Sequence, residues 1–460
     1  MKKRLMPTFL AFIVLVLLLV YANYYETEEI LPPGAQKPQR LIMANADQID
    51  SLTWISGNKE TLRLVKKEGK FRIEIPGQYD VEVAEVEGLL KHFADLKSEM
   101  VVAENATDTS PFGITDNSPQ VKITSEEKNW QLKLGSKSPV GGSYYISRND
   151  EAKVYLVPGY IRGDFFKTVD NVRNRSVFAE NFGKIKAIEL VEDGKLLKLE
   201  KRDAIEWYVE MFSGEGQNPI KSEIANAEAV VGLIQQAQNL RVSSFIDDEP
   251  EEIADYGFAS PTFRIKLTNE AGKAFELIAG EKAGTETYFM LAGSKSIYAV
   301  LNTDLAALRK SYNDLRNVYL PEVDYGKLRE IRLKDASGTI ILKRSEKDWE
   351  YEGKIISDAE VKMFFDKYGK MRITQFEPGD RAEKNGLNNL EACDSVAFIG
   401  EEQTRKIFFG NIKGINLSLK VNDEIMVVGS DLADAFRNLC LHVRSATSDK
   451  PVVKDNSRNR

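Results

Sequence analysis

Apolar and polar residues alternate with period two over three short stretches, Leu52 and Trp54, then Leu62 and Leu64, then Phe71, Ile73 and Ile75. That period predicts the half-buried strands of a meander. The spacing then becomes helical, with Val86, Leu89, Leu90, Phe93 and Leu96 on one face. Alternation resumes at Val121 to Ile123, Trp130 to Leu134, Tyr144 to Ile146 and Val154 to Val157, and a closing helix is expected over Ile161 to Val172. The whole succession occurs twice more. In the second passage the strands carry Ile188 and Leu190, Leu197 and Leu199, Trp207 and Val209, and the helix carries Val230, Leu233, Ile234 and Ala237. In the third they carry Ile331 and Leu333, Ile340 and Leu342, Trp349 and Tyr351, with Val361, Phe364, Phe365 and Tyr368 on the helix. Further strands and closing helices over Leu305 to Leu315 and Leu432 to Leu441 complete these copies. Asp193-Gly194 and Ser337-Gly338 are placed as hairpin turns, and Ser222 and either Ser357 or Asp358 as helix caps.

Three landmarks keep step with this pattern. An early glycine, Gly113, Gly257 or Gly386, is followed by a second, Gly135, Gly280 or Gly410, and then by an arginine, Arg173, Arg316 or Arg444. The intervals between successive copies agree across the three marks to within two residues. The fold class expected is therefore α+β, three tandem repeats of antiparallel β-meander sheets with packed helices, over residues 46–181, 182–324 and 325–446. The recurring residues are of the kinds that set backbone and core. For the arginines, capping of helix C-termini is the plain expectation, since cations are favoured there.

Ahead of the repeats, residues 5–22 are almost unbroken apolar, led by Lys2, Lys3 and Arg4 and closed by Tyr24 and Tyr25. Residues 1–25 are expected to form one N-terminal transmembrane helix, with the basic flank inside and the bulk of the chain extracytoplasmic. A cleaved signal peptide is the competing reading, because Val20-Tyr21-Ala22 has suitable spacing. Residues 26–45, with Pro32-Pro33-Gly34 and Pro38, are expected to be a spacer, and residues 447–460 a disordered tail.

Composition narrows the function. Lys and Arg number 63 against 70 Asp and Glu, a net charge of −7, which argues against nucleic acid as a partner. Cys393 and Cys440 are the only cysteines. They form no metal knuckle and read as small buried side chains or a single bridge.

The Tyr256-Gly257-Phe258-Ala259-Ser260-Pro261 box, the Gly280-bounded strand, the Tyr288 strand and the Leu315-Arg316 helix end together resemble the membrane-anchored bacterial proteins of domain of unknown function 4340. The likeness covers essentially the chain after residue 45. It implies an exported protein with one N-terminal span, encoded beside ABC-transporter components of gliding-motility type, and hence an accessory role. Copy three departs from the box, with Asn388-Asn389-Leu390-Glu391-Ala392-Cys393 in place of the Ser-Pro approach.

No catalytic signature emerges. The two histidines, His92 and His442, lie in no metal-spaced cluster, and no HExxH, Gly-x-Ser-x-Gly, phosphate-loop or GxGxxG pattern occurs. The Val140-Gly141-Gly142-Ser143 loop lacks the lysine and helix of a phosphate cradle, and the acidic run Asp247 to Glu252 lacks EF-hand spacing for calcium. No catalytic residue, metal or cofactor is assigned. The expected function is a non-enzymatic, membrane-anchored scaffold for a membrane-protein partner such as an ABC transporter. Two other classes stay open. One is an envelope glycan- or peptide-binding module, with Tyr144, Tyr145 and Tyr288 as stacking aromatics; the other is a hydrolase using paired carboxylates.

Overall fold

The structure, a computed structural model, describes residues 14–18, 20–21, 38–57, 59–126, 128–202, 206–214, 216–401 and 403–447. Most of the expected anchor, the greater part of the spacer and nearly all of the tail lie outside the described residues. Among the described residues no helix is long and apolar enough to cross a membrane.

Each copy forms one nine-stranded antiparallel sheet. In the first, β1 (Ile49–Ser56), β2 (Lys59–Lys67), β3 (Lys70–Ile75) and β4 (Tyr79–Asp80) are followed by helix α1 (Val83–Ala94). Then come β5 (Met100–Ala103), β6 (Gln120–Ser125), β7 (Asn129–Lys137), β8 (Tyr144–Arg148) and β9 (Val154–Val157), and the short helices α2 (Arg162–Phe165) and α3 (Val169–Val172). The strand order is β4-β3-β2-β1-β6-β7-β8-β9-β5, two meanders joined at β1 and β6, with the strand after the helix laid on the far edge.

The second copy repeats this as β10 (Ile185–Glu192), β11 (Lys195–Lys201), β12 (Trp207–Phe212), β13 (Lys221–Ile224), α4 (Ala227–Gln238), β14 (Ser244–Asp247), β15 (Phe263–Asn269), β16 (Ala274–Ala283), β17 (Glu286–Leu291), β18 (Ile297–Leu301), α5 (Asn302–Leu308) and α6 (Tyr312–Leu315). The third has β19 (Leu328–Asp335), β20 (Gly338–Ser345), β21 (Asp348–Tyr351), β22 (Lys354–Ile356), α7 (Asp358–Gly369), β23 (Gln375–Glu377), β24 (Asp394–Gly400), β25 (Thr404–Lys413), β26 (Asn416–Val421), β27 (Glu424–Gly429) and α8 (Asp431–Thr447). Both later sheets keep the strand order of the first.

Spatially, the described chain divides into two compact units. One runs to Glu180 and adds Leu240–Asp248 and Ile297–Val300; the other comprises Asn181–Asn239, Glu249–Ser296 and the residues from Leu301 onward.

The cores follow the periodicity. Val86, Leu89, Leu90 and Phe93 of α1 are buried, as are Val230, Leu233 and Ala237 of α4 and Val361, Phe364, Phe365 and Tyr368 of α7. At about 1.5–3 kcal/mol per buried large side chain, one such four-residue stripe contributes roughly 6–12 kcal/mol, comparable to a domain's whole net stability. Trp207 and Trp349 occupy the third strand of their copies and are buried. The Asp193-Gly194 tip has φ of 49° and 74°, the mirror-image turn that matches strand twist.

Several elements differ from expectation. Ser222 lies in β13; α4 is capped instead by Asn226, whose Oδ1 accepts from the Glu228 and Ala229 amides. Ser357 caps α7. The closing helices of copies one and two are each broken in two. Thr168 donates its amide and hydroxyl to Asn171 Oδ1, and Ser311 likewise to Asp314 Oδ2, so each pair starts a new helical turn. Copy three has no such pair, and α8 runs unbroken for 17 residues.

Leu41 and Ile42, within the expected spacer, are fully buried in the first core. The Leu41 amide donates to Leu96 O, as Val177 does to Leu240 O and Leu320 to Met371 O, so residues 39–45 are the entry segment of a repeat.

Candidate functional site

The paired glycines form one device, built three times. The 3-10 turn Ser110–Phe112 ends at Gly113, with φ of 70°, and its Phe112 carbonyl packs so closely on β7 that a Cβ at Gly135 would lie 2.4 Å from the Phe112 oxygen. Gly257 has φ of 83° and Gly386 φ of 70°. A Cβ at Gly280 would lie 2.1 Å from Tyr256 O, and one at Gly410 2.3 Å from Asn385 O. Side chains are excluded at all three by backbone oxygen rather than by a movable neighbour. The partner ladder slips at the same place, between Leu134 and Lys137, Ala279 and Lys282, and Phe409 and Ile412. Each second glycine therefore marks a β-bulge under a docked turn. The device survives in copy three despite its altered approach, where Cys393 Sγ donates to Gly386 O.

Arg173 and Arg316 end short helices and Arg444 lies in the last turn of α8, but all three guanidinium groups are bound by carboxylates. In the first unit, Arg173 Nη1 and Nη2 lie 2.9 and 2.8 Å from the two oxygens of Asp248, a bidentate pair. Its guanidinium carbon is 3.9 Å from the Tyr79 ring centre and 4.3 Å from that of Phe245 on β14, and Tyr79 donates its hydroxyl to Asp248. Asp248 belongs to the acidic run weighed for calcium; here it serves the arginine.

In the second unit, Arg316 Nη1 and Nη2 hold Glu424 at 2.8 and 2.6 Å, Nε lies 2.8 Å from Glu223 Oε1, and the Phe376 ring centre is 4.1 Å away. Phe245 on β14 and Phe376 on β23 are matching strand positions, so the aromatic half of the socket recurs; the carboxylate moves from the loop after β14 to the start of β27.

Only 7% of either arginine is exposed. Burial works against their charge, and the carboxylates outweigh it, keeping both above the ordinary arginine value. Arg316, donating hydrogen bonds, holds the Glu424 carboxyl below its usual range.

Thus each arginine at the end of one copy is held by residues of the next. Arg444, in the third copy, is held differently. Its Nη1 and Nη2 pair with Asp335 of its own first hairpin at 2.6 and 2.7 Å, which lowers the Asp335 carboxyl.

The three tyrosines singled out as stacking surfaces are engaged with their own chain. The Tyr145 ring packs edge-on against Phe112 at 5.1 Å, Tyr288 against Tyr256 at 5.2 Å, and Tyr144 lies against the first core. Tyr145 and Tyr288 therefore support the glycine-bearing turns.

His92 Nδ1 lies 2.9 Å from Asp164 Oδ2, a contact that sequence spacing did not show, and Asp164 is buried beneath its carbonyl's bond from Trp54 Nε1. It ties α1 to α2. Cys393 and Cys440 are free thiols, and burial pushes Cys440 up to about 12. Among the described residues no group of three or more His, Cys, Asp or Glu is placed to hold a metal.

The family model for Domain of unknown function (DUF4340) matches residues 72–224 and 217–406, and the chain belongs to this family. No curated protein matches it. Among solved structures, it is similar to the DNA polymerase III beta chain of Streptococcus pneumoniae TIGR4, at 10% identity over 85% of this chain and 93% of that one, with a TM-score of 0.15. The corresponding subunit of Pseudomonas aeruginosa is 9% identical over 84% and 92%, TM-score 0.11, and that of Streptococcus pyogenes 9% over 85% and 94%, TM-score 0.15. At such TM-scores the likeness carries no argument.

Proposed function

We propose that this protein is a non-enzymatic, membrane-tethered extracytoplasmic scaffold that holds a membrane-protein complex, such as an ABC transporter, together. The observation that carries the reading is the use made of the recurring residues: the glycines dock turns onto strands, and the arginines fasten one copy to the next. Residues kept in step through three copies serve continuity of the fold, and a continuous folded surface suits protein contacts. The apolar leader with its basic flank supplies the tether in this reading.

Crosslinking in intact cells, followed by solubilisation and identification of what is held, tests it. Recovery of a defined membrane protein, lost when residues 5–22 are exchanged for a cleavable signal, is the expected result. Recovery of no membrane protein, with retention of the chain on cell-wall fractions, overturns it.

A further inference from the structure

The strand registers place Trp54, Leu190 and Leu333 at one repeat position: Trp54 pairs with Leu62, Leu190 with Leu197, and Leu333 with Ile340. In the first copy this position is filled by an indole that is 2% exposed, its Nε1 donating to Asp164 O. In the second copy the smaller Leu190 lies instead beside a cavity of about 390 Å³, within the size range of small-molecule sites.

The cavity's apolar lining comes from Leu190, Leu197, Met211 and Phe263, and three lysines, Lys195, Lys221 and Lys310, also line it. Two acids are present as well. Glu192 is already paired with Arg309, which leaves Asp193 as the one carboxylate on that side. Lys221 is shared with Glu424 at 3.3 Å, whereas Lys195 and Lys310 enter no ion pair among the described residues. The balance around an apolar hollow is therefore cationic.

We propose that the second copy binds an amphipathic anion, its alkyl chain against Leu190, Met211 and Phe263 and its carboxylate or phosphate head at Lys195 and Lys310. Removal of the chain from water supplies the attraction, and the lysines select the charged head. The site does not depend on the scaffold reading.

The test uses the full chain in lipid nanodiscs and a diazirine-bearing decanoate, with labelled peptides mapped by mass spectrometry. Saturable labelling of the peptides carrying Leu190 or Met211 is expected, displaced by decanoate or decyl phosphate and not by decanol; which anion displaces better tells a carboxylate head from a phosphate one. Lys195→Glu with Lys310→Glu should reduce labelling about tenfold, the loss expected for removal of charged hydrogen bonds. Leu190→Trp should abolish it with no fall in melting temperature. Labelling that does not saturate, is displaced equally by decanol, or persists unchanged in the double lysine variant overturns the proposal.

Discussion

Gly280→Ala gives a direct reading of the docked-turn device. The added methyl would lie 2.1 Å from Tyr256 O, 3.1 Å from Phe258 Cε1 and 3.2 Å from Tyr256 C, so the turn must retreat by about an ångström to restore ordinary contact. Retreat strains the neighbouring bonds, Thr262 N–H to Ala279 O at 2.9 Å and Thr262 Oγ1 to Gly280 O at 3.0 Å. Overpacking costs about 1–3 kcal/mol and each of the two weakened hydrogen bonds about 1 kcal/mol, for a loss of about 3–5 kcal/mol. Urea unfolding followed by tryptophan fluorescence measures it. Gly135→Ala and Gly410→Ala, with Cβ-to-oxygen distances of 2.4 and 2.3 Å, should lose comparable amounts. If all three variants stayed within about 0.5 kcal/mol of the parent, the size of a neutral surface change, the device as described would be wrong.

Gly232→Ala, in mid-α4 with nothing within 4 Å of the added carbon, should stabilise by about 0.5–1 kcal/mol in the same assay. Arg444→Met should cost only about 1 kcal/mol in urea unfolding, because the Arg444 and Asp335 side chains keep 28% and 18% of their surface exposed. Glu424 and Asp335 have folded values held below the ordinary carboxylate pKa of about 4, so their contribution is complete above that pH and is lost as pH falls through the lowered values. Unfolding free energy should therefore drop below about pH 4, and less steeply in Arg316→Met. Cys440, buried and raised to about 12, should resist a maleimide until the chain unfolds, as followed by mass shift.

Much of this architecture is legible in the chain because the sheets are half buried. Alternation marks β1–β3 and β6–β9, and each long helix shows its stripe. The edge strands β4, β5, β13, β14, β22 and β23 escape such reading, since strands of two to four residues give too few alternations. The breaks in the closing helices were written as Thr168-x-x-Asn171 and Ser311-x-x-Asp314, short boxes inside otherwise helical spacing.

The glycines and arginines stood out by position, but their roles depended on contacts across long sequence separations. Arg173 reaches 75 residues ahead to Asp248 and Arg316 108 residues ahead to Glu424, distances over which no local pattern speaks. The ring partners of Tyr145 and Tyr288 are hidden for the same reason, since Phe112 and Tyr256 lie on turns far from them in sequence.

Arg173 and Arg316 each fasten one copy to the following one, and exchange of charge between positions 316 and 424 tests this most directly. In a Glu223→Gln parent, where a carboxylate at position 316 meets no second one, Arg316→Glu and Glu424→Arg should each cost about 3 kcal/mol, as expected when a charge is reversed against the buried end of the pair, and the double exchange should recover at least about half of the combined loss. Single variants that unfold like the parent, or a double variant whose loss equals the sum of the two, would contradict it.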